Sequence, residues 1–154
     1  MNNHPKQELE QRVIIAAREY GISATLFRNA VGGKLELNDT DMQCLGLLFL
    51  KGVSTPTELS KYTGISTGAT TAMLDRLEHA RLIQRKPNPN DRRGVLIQVD
   101  KRSMKTVGPL FAGTREAQDK LVTSYSEKEL QIIADFFERF TDIWVEGRKE
   151  LISE

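Results

Sequence analysis

The densest charge in the sequence lies around Arg92 and Arg93, which follow Asp91 and are preceded at short distance by Arg85 and Lys86. From Gln84 to Lys105 there are seven basic residues (Arg85, Lys86, Arg92, Arg93, Lys101, Arg102, Lys105) and two acidic ones, Asp91 and Asp100. From Tyr125 to Glu154 the balance reverses, with eight acidic and four basic residues. A formal net charge of +1 over 154 residues therefore hides a basic middle and an acidic tail. Local field matters more than total charge for attracting a polyanion. Arginines presented on a turn can enter a narrow minor groove and read its negative potential, while Arg85 and Lys86 can hold phosphate. Asp91 is a poor choice for attraction alone. It is expected to pair with Arg93 or Arg76 and so fix the shape of the turn.

A second set of residues precedes the basic one. Ser66, Thr67, Gly68, Thr71, Ala72 and Asp75 are small or short-chained and fall on one side of a helical repeat. Small side chains let a helix lie deep in the major groove. Their hydroxyls can bond phosphate or base edges, and a Thr or Ala methyl can touch a thymine methyl. The open amides of a first helical turn also favour phosphate. Arg76 is the residue of this stretch able to make a two-pronged contact with guanine.

Other chemistries find little support. The sequence holds no nucleophile motif and no phosphate-cradling glycine loop. Asp39 and Asp41, two apart, diverge on a helix and make no acid–base pair. The single Cys44 excludes an internal disulfide framework. With two distant histidines, His4 and His79, it gives no structural zinc site, so no metal, cofactor or catalytic residue is expected. Met42, Leu45 and Leu48 surround Cys44 and point to a packed thiol rather than a sensor. His79, near a helix end, suits the dipole there. No apolar run approaches the ~18–20 residues of a membrane span. The polar N-terminal stretch lacks the layout of a signal peptide, so a cytoplasmic address is expected.

The elements that must position these residues follow from apolar spacing and caps. Leu9, Val13, Ala16, Ala17, Tyr20, Ala24, Phe27 and Val31 recur at helical intervals and predict a helix from Pro5 to about Ala30, ended by Gly32-Gly33. Asn38 caps a second helix carrying Met42, Leu45, Leu48 and Phe49, which Lys51-Gly52 stops. Thr55-Pro56-Thr57-Glu58 is a capping box with proline at the first helical position. A short helix follows, and Gly64 permits a tight turn. Ser66 then caps a helix whose Thr70, Met73, Leu74 and Leu77 share one face. Two short helices joined by a glycine turn form a helix-turn-helix. Leu82–Arg85 and Val95–Val99 predict a hairpin, with Pro87–Asp91 as its turn and the two arginines at its tip. A helix over roughly Lys101–Thr123 and another capped by Ser126 and Glu129 complete the chain. The last is apolar along Leu130, Ile133, Ala134, Phe137, Phe140, Ile143, Trp144 and Leu151.

Taken together, Thr-Pro-Thr-Glu-Leu, Gly-Ile-Ser-Thr-Gly-Ala-Thr-Thr, Leu-Asp-Arg-Leu-Glu and Pro-Asn-Pro-Asn-Asp-Arg-Arg-Gly-Val closely resemble the MarR family of bacterial regulators, continuously from about Leu37 to Val99. The resemblance implies a mainly α fold with a small β-hairpin wing: a single domain over 1–154, a winged helix-turn-helix lobe over 37–100, and dimerisation helices over 5–31 and 101–152. It implies a homodimer that binds palindromic double-stranded DNA, usually as a repressor. Thr67, Gly68, Thr71 and Ala72 would face the major groove, Arg92 would probe the minor groove, and Asp91 with Arg93 would hold the wing. The resemblance also implies a small-molecule effector, accommodated by residues such as Phe27, Met42 and Phe111. Two positions depart from the family pattern. Arg81 stands where glycine usually ends the recognition helix, and Thr70 replaces an aliphatic residue on its core face. The remaining alternatives are a winged-helix module that binds a protein partner and a redox sensor acting through Cys44. Crowded aromatics at Phe136, Phe137, Phe140 and Trp144 favour a dimer over either chain standing alone.

Overall fold

The computed structural model describes residues 5–152. Helix α1 spans Pro5–Leu35, α2 Asp39–Lys51, α3 Pro56–Thr63 and α4 Thr67–His79. Strands β1 (Val53–Ser54), β2 (Ile83–Asn88) and β3 (Asp91–Val99) form one antiparallel sheet in the order β1-β3-β2. A 3-10 turn, Lys101–Ser103, leads into α5 (Met104–Thr123), and α6 covers Glu127–Ile152. This is the mainly helical winged helix-turn-helix that the sequence predicts. The chain divides into two compact units, one ending at Gly108 and the other beginning at Pro109. No helix among the described residues is long and apolar enough to cross a membrane.

The first unit holds a core that explains its local geometry. Leu45, Leu48, Leu59, Met73, Leu74, Leu77, Ile83 and Ile97 are buried together across α2, α3, α4 and the sheet. Reciprocal caps start the helices. Asp41 N–H donates to the Asn38 side chain at 2.9 Å and Asp41 returns the bond to the Asn38 amide at 3.3 Å. Thr55 and Glu58 repeat the arrangement at the start of α3, where Ser54 also donates to Glu58 at 2.9 Å. These bonds hold the Glu58 carboxyl below its ordinary range, the Thr55 amide contributing most. On α4, Thr70 is buried with Met73, Leu74 and Leu77. Its hydroxyl donates to the Ser66 carbonyl at 2.9 Å, so a polar side chain is satisfied inside an apolar face.

Helix α1 does not stop at its glycine pair. It continues through Gly32 and Gly33 to Leu35. Gly32 serves close packing: a Cβ there would lie 3.0 Å from the Leu37 carbonyl oxygen and 3.1 Å from Met42 Cγ. The helix ends at Glu36, whose φ of 57° is left-handed, with Leu37 N–H donating to the Gly32 carbonyl at 2.9 Å.

Helix α4 ends the same way at Arg81, φ 59°. Arg81 N–H donates to the Glu78 carbonyl and Leu82 N–H to the Leu77 carbonyl, both at 2.9 Å. Buried Leu77 and Leu82 complete the apolar pairing that accompanies this terminus. The helix is closed as a glycine would close it, but at the steric cost of a side chain. Arg81→Gly should therefore raise stability by about 0.5–1 kcal/mol. Urea unfolding at matched protein concentration measures this, and a loss of stability would show that the arginine side chain holds the fold.

In the second unit, α6 is capped as expected: Glu129 accepts from the Ser126 amide at 2.8 Å and from its hydroxyl at 2.6 Å. No described residue of α6 is buried. Along it Phe136 stacks on Phe140 with ring centroids 5.4 Å apart, Phe140 meets Trp144 edge to face at 6.2 Å, and Trp144 is 67% exposed.

Candidate nucleic-acid interface

Helix α4 begins with Ser66, whose hydroxyl accepts the Ala69 amide at 3.3 Å. Thr67, Gly68, Thr71 and Ala72 are all exposed on the first two turns. Thr71 donates its hydroxyl proton to the Thr67 carbonyl at 3.1 Å. Its outward lone pairs are left as acceptors, which suits the amino groups of adenine or cytosine. The surface so formed is small, uncharged and capable of hydrogen bonding.

The cations around it divide into two classes. Arg76 is paired with Asp41, with Nη2 2.8 Å from Oδ1; the carboxylate side chain is 3% exposed and the arginine 51%. Arg85 is held on α4 by two acids, at 2.6 Å from Asp75 and in contact with Glu78. Glu78 also accepts from the Arg85 amide at 3.3 Å. Partial burial works against the Arg85 charge, but its bonds to Asp75 and Glu78 outweigh that and raise its pKa. Lys86, Arg92 and Arg93 are exposed and, among the described residues, enter no ion pair.

The wing itself differs in detail from the sequence expectation. Strands β2 and β3 extend further than predicted, and the tip is Pro89-Asn90. Arg92 and Arg93 sit in the first turn-proximal residues of β3 rather than at the tip. The register shifts between Pro87, which faces Val95, and Asn88, which faces Asp91, so Arg92, Arg93 and Gly94 bulge from β3. Asp91 makes no ion pair with Arg93 or Arg76. Its carboxylate instead accepts the Arg93 backbone amide at 2.9 Å, while Asn88 accepts the Asn90 amide at 3.0 Å. A short acid that bonds its own backbone two residues on shapes a turn without a cation. Gly94 packs closely beside them: a Cβ would lie 3.1 Å from Asp91 Oδ2 and 3.3 Å from Asn88 Nδ2.

Two features escaped the sequence reading. The two-residue strand β1 pairs Val53 with Gln98 and Ser54 with Ile97, buttressing the wing from its far side. The acids at Asp75 and Glu78, three apart on one helical face, were the signal for the Arg85 pairing. Of the other singled-out residues, Phe27 is half-buried on α1 and Met42 is buried against Gly32. Phe111 is half-buried in the second unit. Cys44 is fully buried, and burial, followed by the Asp41 charge, pushes its thiol up to about 12. The thiolate is the reactive form, so this setting suits packing rather than oxidant chemistry.

A helix-turn-helix with a small, hydroxylated recognition face and a basic wing defines a winged-helix transcriptional regulator. The MarR family model matches residues 37–95. A relative described as an uncharacterized HTH-type transcriptional regulator, YcgE of Bacillus subtilis (strain 168), is 37% identical over 146 residues, covering 95% of each chain. The chain belongs to the MarR family of transcriptional regulators. The fold is shared with the transcriptional regulator Tm0710 from Thermotoga maritima, at TM-score 0.62 and 18% identity over 89% of this chain and 96% of that one. It is also shared with a mutant of E. coli MarR complexed with operator DNA, at TM-score 0.51 and 21% identity over 91% and 99%.

Proposed function

We propose that the protein is a cytoplasmic homodimer that binds a palindromic operator and represses transcription. The observation that carries this reading is the pairing of two surfaces. Ser66, Thr67, Gly68, Thr71 and Ala72 form a groove-sized face on α4, and Lys86, Arg92 and Arg93 leave uncompensated charge on the adjoining wing. The E. coli MarR mutant of the same fold, solved with operator DNA, supports DNA as the partner. In this reading α4 enters the major groove and Arg92 the flanking minor groove. Arg76 and Arg85 position these elements through their ion pairs, and Asp91 shapes the wing through the Arg93 amide.

Dimerisation is supported by apolar surface left uncovered within each unit. Ile15, Ile22 and Leu26 on α1 are each more than half exposed, as are Ile143, Trp144 and Leu151 on α6. A patch of this kind calls for a partner. Two-fold symmetry would set two recognition helices about 34–36 Å apart, one turn of DNA. Release by a small-molecule effector belongs to the same reading.

Selection of fragments from genomic DNA by the purified protein tests it. The expected outcome is enrichment of a palindromic site, with affinity falling steeply as salt rises. Light scattering should give twice the 17.4 kDa chain mass. A dimer with no salt-dependent DNA binding would point instead to a module for a protein partner. A monomer mass would remove the two-fold model.

A further inference from the structure

The first two turns of α4, from the cap Ser66 to Ala72, carry no Arg, Lys, Asn, Gln, Asp or Glu. Those are the side chains that read the polar edges of bases most specifically. Much of the polar chemistry the stretch does hold is tied to its own backbone. Ser66 Oγ accepts the Ala69 amide at 3.3 Å, and the hydroxyls of Thr70 and Thr71 donate to carbonyls one turn back at 2.9 Å and 3.1 Å. The first long side chains of the next turn are also engaged, Asp75 with Arg85 at 2.6 Å and Arg76 with Asp41 at 2.8 Å. What the two turns offer outward is methyl surface: Ala69, Ala72 and the γ-methyls of Thr67 and Thr71, all on exposed residues. The Thr71 hydrogen bond favours one rotamer, so its methyl is held in place.

Gly68 is an independent observation. A glycine within a helix lowers its stability relative to alanine. The backbone does not call for one here, since Gly68 is not among the residues of positive φ. Packing does not call for one either: among the described residues a Cβ at Gly68 would meet no neighbouring atom within 4 Å. Gly68 is exposed in the midst of the methyl-bearing residues. A side chain whose absence serves no internal neighbour makes room for a body outside the protein that comes close to the backbone. In the major groove, thymine is the base that presents a methyl to such a surface.

We propose that α4 selects its operator by the 5-methyl groups of thymines in the major groove. Gly68 lets the helix backbone come close, and Ala69, Thr71 and Ala72 pack their methyls against those of the bases. This rests on the operator reading above and adds what each half-site must present: thymines beneath the first two turns of α4.

The test is a uracil scan. The site selected from genomic DNA is resynthesised with each thymine replaced in turn by uracil, which removes the 5-methyl and leaves base pairing in place. Fluorescence anisotropy with the full chain at fixed salt should show two clusters of sensitive positions about one helical turn apart. Each substitution there should weaken binding about fourfold, as loss of one buried methyl does. Thr71→Ser keeps the hydroxyl and deletes the γ-methyl. It should bind the thymine site more weakly and shrink the uracil penalty within each cluster, a coupling that a purely structural role would not give. Gly68→Ala should raise the melting temperature yet weaken binding by about tenfold, opposite effects that mark a surface shaped for DNA rather than for the fold. A selected site indifferent to uracil throughout overturns the proposal and leaves the operator reading standing, and so does Gly68→Ala binding like the parent protein. Failure to select any DNA overturns the operator reading and this proposal with it.

Discussion

Asp41→Ala should lower the unfolding free energy by about 2–3 kcal/mol, a large share of the stability of a domain this size. Three contributions combine. The carboxylate closes the α2 capping box, and losing such a cap costs about 1 kcal/mol. It is also the partner of Arg76, 2.8 Å away across a part-buried gap. Breaking a fully buried pair costs about 3–5 kcal/mol because it strands a charge, but Arg76 is half exposed, so water recovers part of that. The methyl group that remains fills less of the buried site. Asp41→Asn keeps the cap's acceptor but loses the charge, and should fall between the parent and the alanine variant. In Arg76→Ala/Asp41→Ala the combined loss should be smaller than the sum of the single losses, because the pair is counted twice. Denaturant titrations of the parent, both Asp41 variants, Arg76→Ala and the double variant, at one protein concentration, check this. A loss below about 1 kcal/mol for Asp41→Ala would mean that the pair contributes nothing beyond its cap.

Arg92→Ala should weaken operator binding by about 1–3 kcal/mol, roughly 5- to 150-fold, with no change in unfolding midpoint. Arg92 is exposed on β3 and among the described residues holds no partner, so its removal leaves the wing intact. Arg85→Ala is the contrasting variant. It should lower both affinity and stability, because Asp75 and Glu78 on α4 lose the cation that ties them to β2. Fluorescence anisotropy on the selected site, paired with thermal unfolding, separates the two. Equal affinity for Arg92→Ala and the parent protein would place the minor-groove contact elsewhere.

The contrast between these arginines shows what a linear sequence conceals. Caps were legible because they are local: Asn38–Asp41, Thr55–Glu58 and Ser126–Glu129 each close within three residues. The buried face of α4 was legible because helical spacing alone puts Thr70, Met73, Leu74 and Leu77 together. The basic stretch was legible as charge, but not its division. Arg76 meets an acid 35 residues earlier, and only the packing of α4 on α2 makes them neighbours. Strand β1 was missed because two residues carry no period. The extension of α1 past Gly32-Gly33 was missed because glycine ends helices and also admits close packing, and only the position of Met42 decides between them. Asp91 was expected to answer a cation because of its neighbours, whereas the turn offered it a nearer amide.

The clamp of Arg85 between Asp75 and Glu78 has a consequence for how an operator is chosen. It fastens the base of the wing to the C-terminal half of α4, so that in the proposed reading the helix and the wing act as one stiff gauge rather than two adjustable fingers. In the DNA-bound state proposed above, a gauge that does not flex leaves any misfit to the double helix. Sequences that twist or narrow cheaply would then be preferred over stiff ones carrying the same contacted bases. Base pairs between the major-groove and minor-groove contacts, touched by no side chain, would carry information through their elasticity.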